Sequence, residues 1–169
     1  MHRHIFPVLA AAAAAAVSLM VTAPAAAREE VRFQGEAGTI VVRTHERKLY
    51  LVLGDGRALR YPVGVGRAGK QWSGTSYIAG KYRNPAWSPP AEIRRDRPGL
   101  PAVIPGGAPN NPMGVAAMTL GTDQYAIHGT NAPGSIGGFV SYGCIRMLNR
   151  DIIDLYERVN VGTRVVVER

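Results

Sequence analysis

The stretch "GTIVVRTHERKLYLVLGDGRALRYPVGVG", Gly38–Gly66, decides the fold class. Its apolar residues are β-branched or aromatic, and they come in short runs rather than at helical spacing. A polar turn, Arg43 to Lys48, separates the first run from the second, and Gly54-Asp55-Gly56 is a hairpin signal between the second and third. Three short strands joined by two tight turns predict an antiparallel meander. "GTSYIAGKY", Gly74–Tyr82, reads as a fourth strand interrupted by glycine.

Working outward, residues 83–114 hold eight prolines and four glycines, so regular structure is not expected there. Trp87, Ile93, Leu100 and Ile104 give this segment enough apolar weight to pack as an ordered flap; disorder is the alternative. Strand character returns in "VAAMTLG" and "QYAIHGT". A glycine-rich connection, "NAPGSIGGF", leads to "VSYGCIRM". One clear helix follows, with Asn149 as the expected N-cap, Asp151 in the first turn, and Ile152, Ile153, Leu155, Tyr156 and Val159 as apolar positions. Gly162 ends it and "RVVVE" closes the chain. The expected architecture is mainly β, a sandwich or barrel-like sheet with one main helix near the C-terminus.

The N-terminal segment has a different composition. Arg3, an apolar run from Ile5 to Val21, and Ala25-Ala26-Ala27 before Arg28-Glu29-Glu30 have the layout of a secretory signal peptide over residues 1–27. The run is short and Ala-rich for a membrane span, so no stable anchor is expected after cleavage. Residues 28–37 read as an N-terminal extension and 38–169 as one domain. Twenty Lys and Arg against twelve Asp and Glu give a net charge of +8. The basic residues are scattered, with no run of three. That pattern disfavours nucleic acid and suits an anionic extracellular or periplasmic polymer, or simple solubility.

In an oxidising compartment a lone cysteine is unusual, and Cys144 is the only one here. It is reactive, available for intermolecular pairing, or a buried inert thiol. A catalytic thiol needs a base and donors for an oxyanion. His2 and His4 lie in the leader, which leaves His45 and His128. His45 sits in "THERK" and reads as a solvated turn residue. His128 ends the strand-like "YAIH", sixteen residues before Cys144, and adjacent strands would bring the two together. The amides of Tyr142, Gly143 and Cys144 could converge on one oxygen. Arg146 would share a face with Cys144 on an extended chain, where it would lower the thiol pKa or hold a carboxylate. The sequence shows no ligand cluster for a metal.

The segment "HGTNAPGSIGGFVSYGCIRM" resembles the catalytic segment of the L,D-transpeptidases, the YkuD-domain family. That motif is a histidine, a connecting loop, Ser/Thr-His-Gly-Cys and an arginine; His128, Ser141, Gly143, Cys144 and Arg146 match it. "WSGTSYIAGK", "PGGAPNNPMG" and "LNRDIIDLYERVNVGTRVVV" extend the resemblance over Gly38–Glu168. Tyr142 departs from it, standing where many members have histidine.

The resemblance implies an antiparallel β-sandwich and an enzyme acting on peptidoglycan stem peptides without a cofactor. Cys144 would be the nucleophile, His128 the base, and the Gly129 carbonyl the group orienting it. Arg146 and Ser141 would bind the donor stem. The acceptor would be a peptidoglycan amine, an amine of an outer-membrane protein, or water. The flap would border the cleft, with Trp87 and Tyr82 either lining it or pinning the flap. A non-catalytic peptidoglycan-binding module is a rival, one that has no use for a lone thiol.

Overall fold

A computed structural model describes residues 28–122 and 124–169; the expected signal peptide lies outside the described residues. The meander is present. β2 (Ile40–Arg43), β3 (Lys48–Gly54) and β4 (Arg57–Gly66) pair antiparallel in sequence order. Gly54, Asp55 and Gly56 all take positive φ in the β3–β4 turn, which is why two glycines flank the aspartate.

β10 (Arg164–Glu168) joins the other edge of β2 in parallel and pairs antiparallel with β5 (Gly74–Arg83). From β5 the sheet continues through β6 (Ala116–Leu120), β7 (Ala126–His128) and β9 (Ile145–Met147). β9 then pairs with β4, so β4-β3-β2-β10-β5-β6-β7-β9 is a closed ring. The body is mainly β as expected, but barrel-like rather than two separate layers. The physical reason lies in β4 and β5, at ten residues each the longest strands. β4 pairs with β3 through Arg57–Pro62 and with β9 through Val63 and Gly64. β5 pairs with β10 at one end and β6 at the other, with a register shift between Ile78 and Gly80. Each strand belongs to both would-be layers and seals a corner.

Two strands lie off the ring. β8 (Phe139–Ser141) runs parallel beside the end of β4. β1 (Glu29–Arg32) pairs with β4, so the expected N-terminal extension is an integral strand.

The unbroken apolar run in β2 is explained by cover on both faces. Ile40 and Val42 point into the main core with Leu49, Tyr61, Ile78, Met118, Ile127, Ile145 and Met147. Val41 points outward into a second cluster with Phe33, Tyr50, Val52 and Ala58. Full burial of each such side chain contributes about 1.5–3 kcal/mol.

α2 (Asn149–Arg158) plugs the main core with Ile152 and Leu155; Val159 just beyond is also buried, and Ile153 and Tyr156 are half-buried against them. Asn149 is not the N-cap. Leu148 holds that position without a side-chain bond, and Asn149 Oδ1 instead accepts from the amides of Thr130 (2.9 Å) and Val115 (3.4 Å). A residue type that favours caps is used here to tie two loops.

The flap is ordered, though nearly without regular structure. Trp87 and Ile104 exchange two backbone hydrogen bonds of 2.8 Å. Asn111, 1% exposed, donates through Nδ2 to the carbonyls of Pro85 and Pro105, each at 2.9 Å, and accepts from the Met113 amide. Trp87 thus joins two parts of the flap through its backbone, and Tyr82 stands half-exposed beside Gly80. The flap also holds a helix not anticipated from sequence, α1 (Ala91–Asp96), which buries none of its residues.

Candidate active site

The β7–β9 pair is parallel, with Ile127 opposite Ile145 and His128 opposite Arg146. Ile127 and Ile145 face the core, so alternation turns His128, Arg146 and Cys144 to the other face. The flap covers that face. Its Pro112 carbonyl acts on the His128 ring, and its Asp96 meets Tyr142. His45 is far from this in character: an exposed turn residue whose ring lies 3.6 Å from Glu46.

His128 is buried, and its Nδ1 lies 2.7 Å from the Gly129 carbonyl. A carbonyl only accepts, so this contact makes Nδ1 the protonated nitrogen of the neutral ring. Burial lowers the His128 pKa to about 4, helped by the positive charge of Arg146. The imidazole is therefore neutral near pH 7. Cys144 is partly exposed, yet burial around its sulfur pushes the thiol pKa up, while the Ala126 amide and Arg146 pull the other way. The sulfur also lies 4.0 Å from the Gln124 carbonyl. At rest the pair is a neutral thiol and a neutral imidazole, turned to one face without a direct hydrogen bond among the described residues.

The turn before the thiol is braced from within. Ser141 is buried; its hydroxyl donates to the Cys144 carbonyl (2.6 Å) and accepts from the Gly143 amide (3.1 Å). Two sequence expectations change as a result. Ser141 shapes the loop rather than facing a ligand, and the Gly143 amide is engaged, leaving the Tyr142 and Cys144 amides as the oxyanion candidates. Gly143 has φ 122°, a region only glycine occupies comfortably, and a Cβ there would collide with the Tyr125 ring. Its carbonyl accepts from Trp72 Nε1 at 2.9 Å, and Trp72 stacks on Tyr125 at 5.0 Å.

Arg146 Nη1 donates to Ser135 Oγ at 2.9 Å. Its Nε is buried without a partner, and no carboxylate pairs with it among the described residues. Burial lowers its pKa. An unpaired, half-buried guanidinium beside a thiol is a ready anchor for an anion. Tyr142 donates to Asp96 Oδ2 at 2.5 Å, and Arg67 lies 3.9 Å over its ring while pairing with the same carboxylate at 3.0 Å. Among the described residues no group of three or more His, Cys, Asp or Glu side chains is placed to hold a metal ion.

The sequence reading did not single out Trp72, Tyr125, Ser135, Asp96 or Arg67. Four of them are 19 or more residues from Cys144 and Ser135 lies in the glycine-rich connection, so periodicity carries no signal for any of them.

The β-barrel-like domain thus carries an imidazole and a guanidinium side by side on one strand pair, with the thiol beside the guanidinium, under a flap. The family described as the YkuD L,D-transpeptidase catalytic domain matches residues 37–167, and the chain belongs to that family. The Escherichia coli K12 protein named "Probable L,D-transpeptidase YbiS" is 44% identical over 135 residues, 75% of this chain and 43% of the relative. The chain thus spans less than half the length of that relative. L,D-transpeptidase 3 from Mycobacterium tuberculosis has a similar fold, with TM-score 0.60, 16% identity, and coverage of 78% of this chain and 60% of that one. A Brucella melitensis structure described as a "Probable carnitine operon oxidoreductase" matches with TM-score 0.58, 38% identity, and 87% and 96% coverage. That description belongs to that protein.

Proposed function

We propose that this chain is a peptidoglycan L,D-transpeptidase using Cys144 as nucleophile and His128 as base. The observation that carries the reading is the placement of Cys144, His128 and Arg146 on one face of the β7–β9 pair, with the imidazole neutral and oriented by the Gly129 carbonyl.

The thiol proton passes to His128 Nε2 as sulfur attacks the carbonyl carbon of the diaminopimelate–D-alanine bond in a tetrapeptide stem. The amides of Tyr142 and Cys144 receive the oxyanion. The intermediate collapses, His128 returns the proton to the departing D-alanine amine, and a thioester remains. An acceptor amine then loses a proton to His128 and attacks the thioester, forming the new amide and restoring the thiol. Arg146 holds a donor carboxylate, and its charge stabilises the thiolate. The Gly129 carbonyl keeps the imidazole in the reactive tautomer. The acceptor is a second stem's amine, giving 3→3 cross-links, or an amine of an outer-membrane protein. The chain reaches the periplasm through its N-terminal signal, and no helix among the described residues is long and apolar enough to cross a membrane.

Purified tetrapeptide muropeptides incubated with the protein test this reading. Mass analysis should show dimers lacking one D-alanine, and Cys144→Ala should abolish them. Dimers formed by Cys144→Ala would overturn the reading, and shortened stems alone would make water the acceptor.

A further inference from the structure

The outer face of β5 carries two exposed tyrosines, Tyr77 at 52% and Tyr82 at 50%. Each lies on a glycine. A Cβ at Gly121 would overlap the Tyr77 ring, and a Cβ at Gly80 would overlap the far end of the Tyr82 ring. Glycine within a sheet marks a close approach, here by an aromatic ring that keeps half its surface in solvent.

Strand register ties these rings to the candidate site. Ile127 opposite Ile145 brings Ala126 level with Cys144, and the Ala126 amide acts on the thiol. Thr119 pairs with Ala126 on one side and with Gly80 on the other. Directly opposite residues share a face, so Cys144, Ala126, Thr119 and Gly80 form one row across the outer surface. No side chain in that row between the thiol and the Tyr82 ring is bulkier than threonine. Three strand spacings of about 4.8 Å make the row roughly 14 Å long. In the next outward row, Tyr82, Ala117 and His128 are aligned in the same way.

The positions named on this face between the thiol and the two rings carry no charge. Lys81 and Arg83 alternate to the other side, where Lys81 Nζ donates to the Tyr156 and Val159 carbonyls (2.7 and 2.6 Å) and Arg83 pairs with Glu157. A neutral aromatic surface matches an anionic stem peptide poorly and an uncharged sugar well. One face of a pyranose presents C–H groups and its edge presents hydroxyls; tyrosine offers an apolar ring with a polar tip. Length favours the same occupant. With the scissile carbonyl on the third stem residue, three extended residues span at most about 11 Å, and the lactyl ether that joins stem to sugar covers the remainder. Tyr77 stands at most roughly 16 Å from Tyr82 along β5, in line for a neighbouring sugar.

We propose that Tyr77 and Tyr82 are a stacking platform for the N-acetylated glycan strand that carries the donor stem, so that the polymer lies on β5 while the stem runs across β6 and β7 to Cys144. The identity of the glycan rests on the transpeptidase reading.

The full chain carrying Cys144→Ala binds without reacting. Calorimetry gives its affinity for a tetrapeptide stem borne on a glycan strand and for the same stem free of sugar. Adding Tyr77→Ala with Tyr82→Ala should weaken the glycan-borne stem by about 10-fold and the free stem by less than about 2-fold. Tyr77→Phe with Tyr82→Phe keeps both rings and should stay within about 3-fold of the parent for both ligands. Equal weakening of the two ligands by the alanine pair, weakening of neither, or phenylalanines as poor as alanines would overturn the proposal. So would self-association of the chain that is lost with the alanine pair, which would give this face to a second copy. An oligomer of N-acetylglucosamine alone, followed by NMR, separates the platform from the chemistry. Shifts at Tyr77 and Tyr82 in a protein that forms no thioester would leave the platform standing and end the transpeptidase reading; a thioester-forming protein without those shifts would do the reverse.

Discussion

His128 sits directly opposite Arg146 across the parallel β7–β9 pair, and the guanidinium acts on both the imidazole and the thiol. Its positive charge disfavours the imidazolium and favours the thiolate. Arg146→Gln should therefore raise both pKa values. NMR titration should move His128 upward from about 4, and the alkylation profile of Cys144 should shift to higher pH. A His128 titration unchanged in the variant would assign the whole shift to burial.

The same histidine makes stability depend on pH. Its folded pKa of about 4 is below the ordinary 6.5, so the unfolded chain binds more protons between those values. The stabilisation is fully present above pH 6.5 and is lost as pH falls toward 4. The loss is on the order of 3 kcal/mol. Urea midpoints from pH 4 to 8 should fall more steeply for the parent than for His128→Gln. Parallel curves would contradict this.

Asn149 ties the loop after His128 to the end of the flap. Asn149→Ala leaves the Thr130 and Val115 amides without their acceptor and should destabilise by about 1–3 kcal/mol. Asn149→Asp keeps an acceptor at a helix N-terminus and should stay within about 1 kcal/mol of the parent. Thermal melts decide this; equal losses in both variants would show that the acceptor oxygen is not what matters.

Tyr142 holds the flap through Asp96. Tyr142→Phe keeps the ring under Arg67 but removes the donor. Hydrogen exchange over Ala91–Arg97 should quicken, while the β2–β4 meander stays protected. Unchanged exchange would mean that the ion pairs of Arg67 and Lys70 suffice.

Local pattern made much of this molecule legible. The meander, the glycine-braced turn at Asp55, the closing strand and the apolar face of α2 follow from alternation, turn chemistry and helical spacing. That His128 and Arg146 lie side by side was readable because their spacing fits adjacent strands. Ring closure was not, since it depends on which ends of β4 and β5 pair across the barrel, and that information is non-local. Asn149 looked like a cap because its residue type favours caps; the two loop amides it serves come from distant segments. Ser141 looked free for a ligand, but the tight turn at Gly143 brings its hydroxyl back onto the backbone. The role of Tyr142 was hidden for the same reason, its partner Asp96 being 46 residues away on a helix with no apolar face.

The proposed chemistry requires Cys144 to take up the donor as a thioester. Intact-protein mass spectrometry after brief incubation with a tetrapeptide stem tests it most directly. The predicted result is an adduct equal to the donor less one D-alanine, mapped to Cys144 and absent from Cys144→Ala. An unmodified parent protein that still yields cross-linked product, or the same adduct on the Cys144→Ala variant, would contradict it.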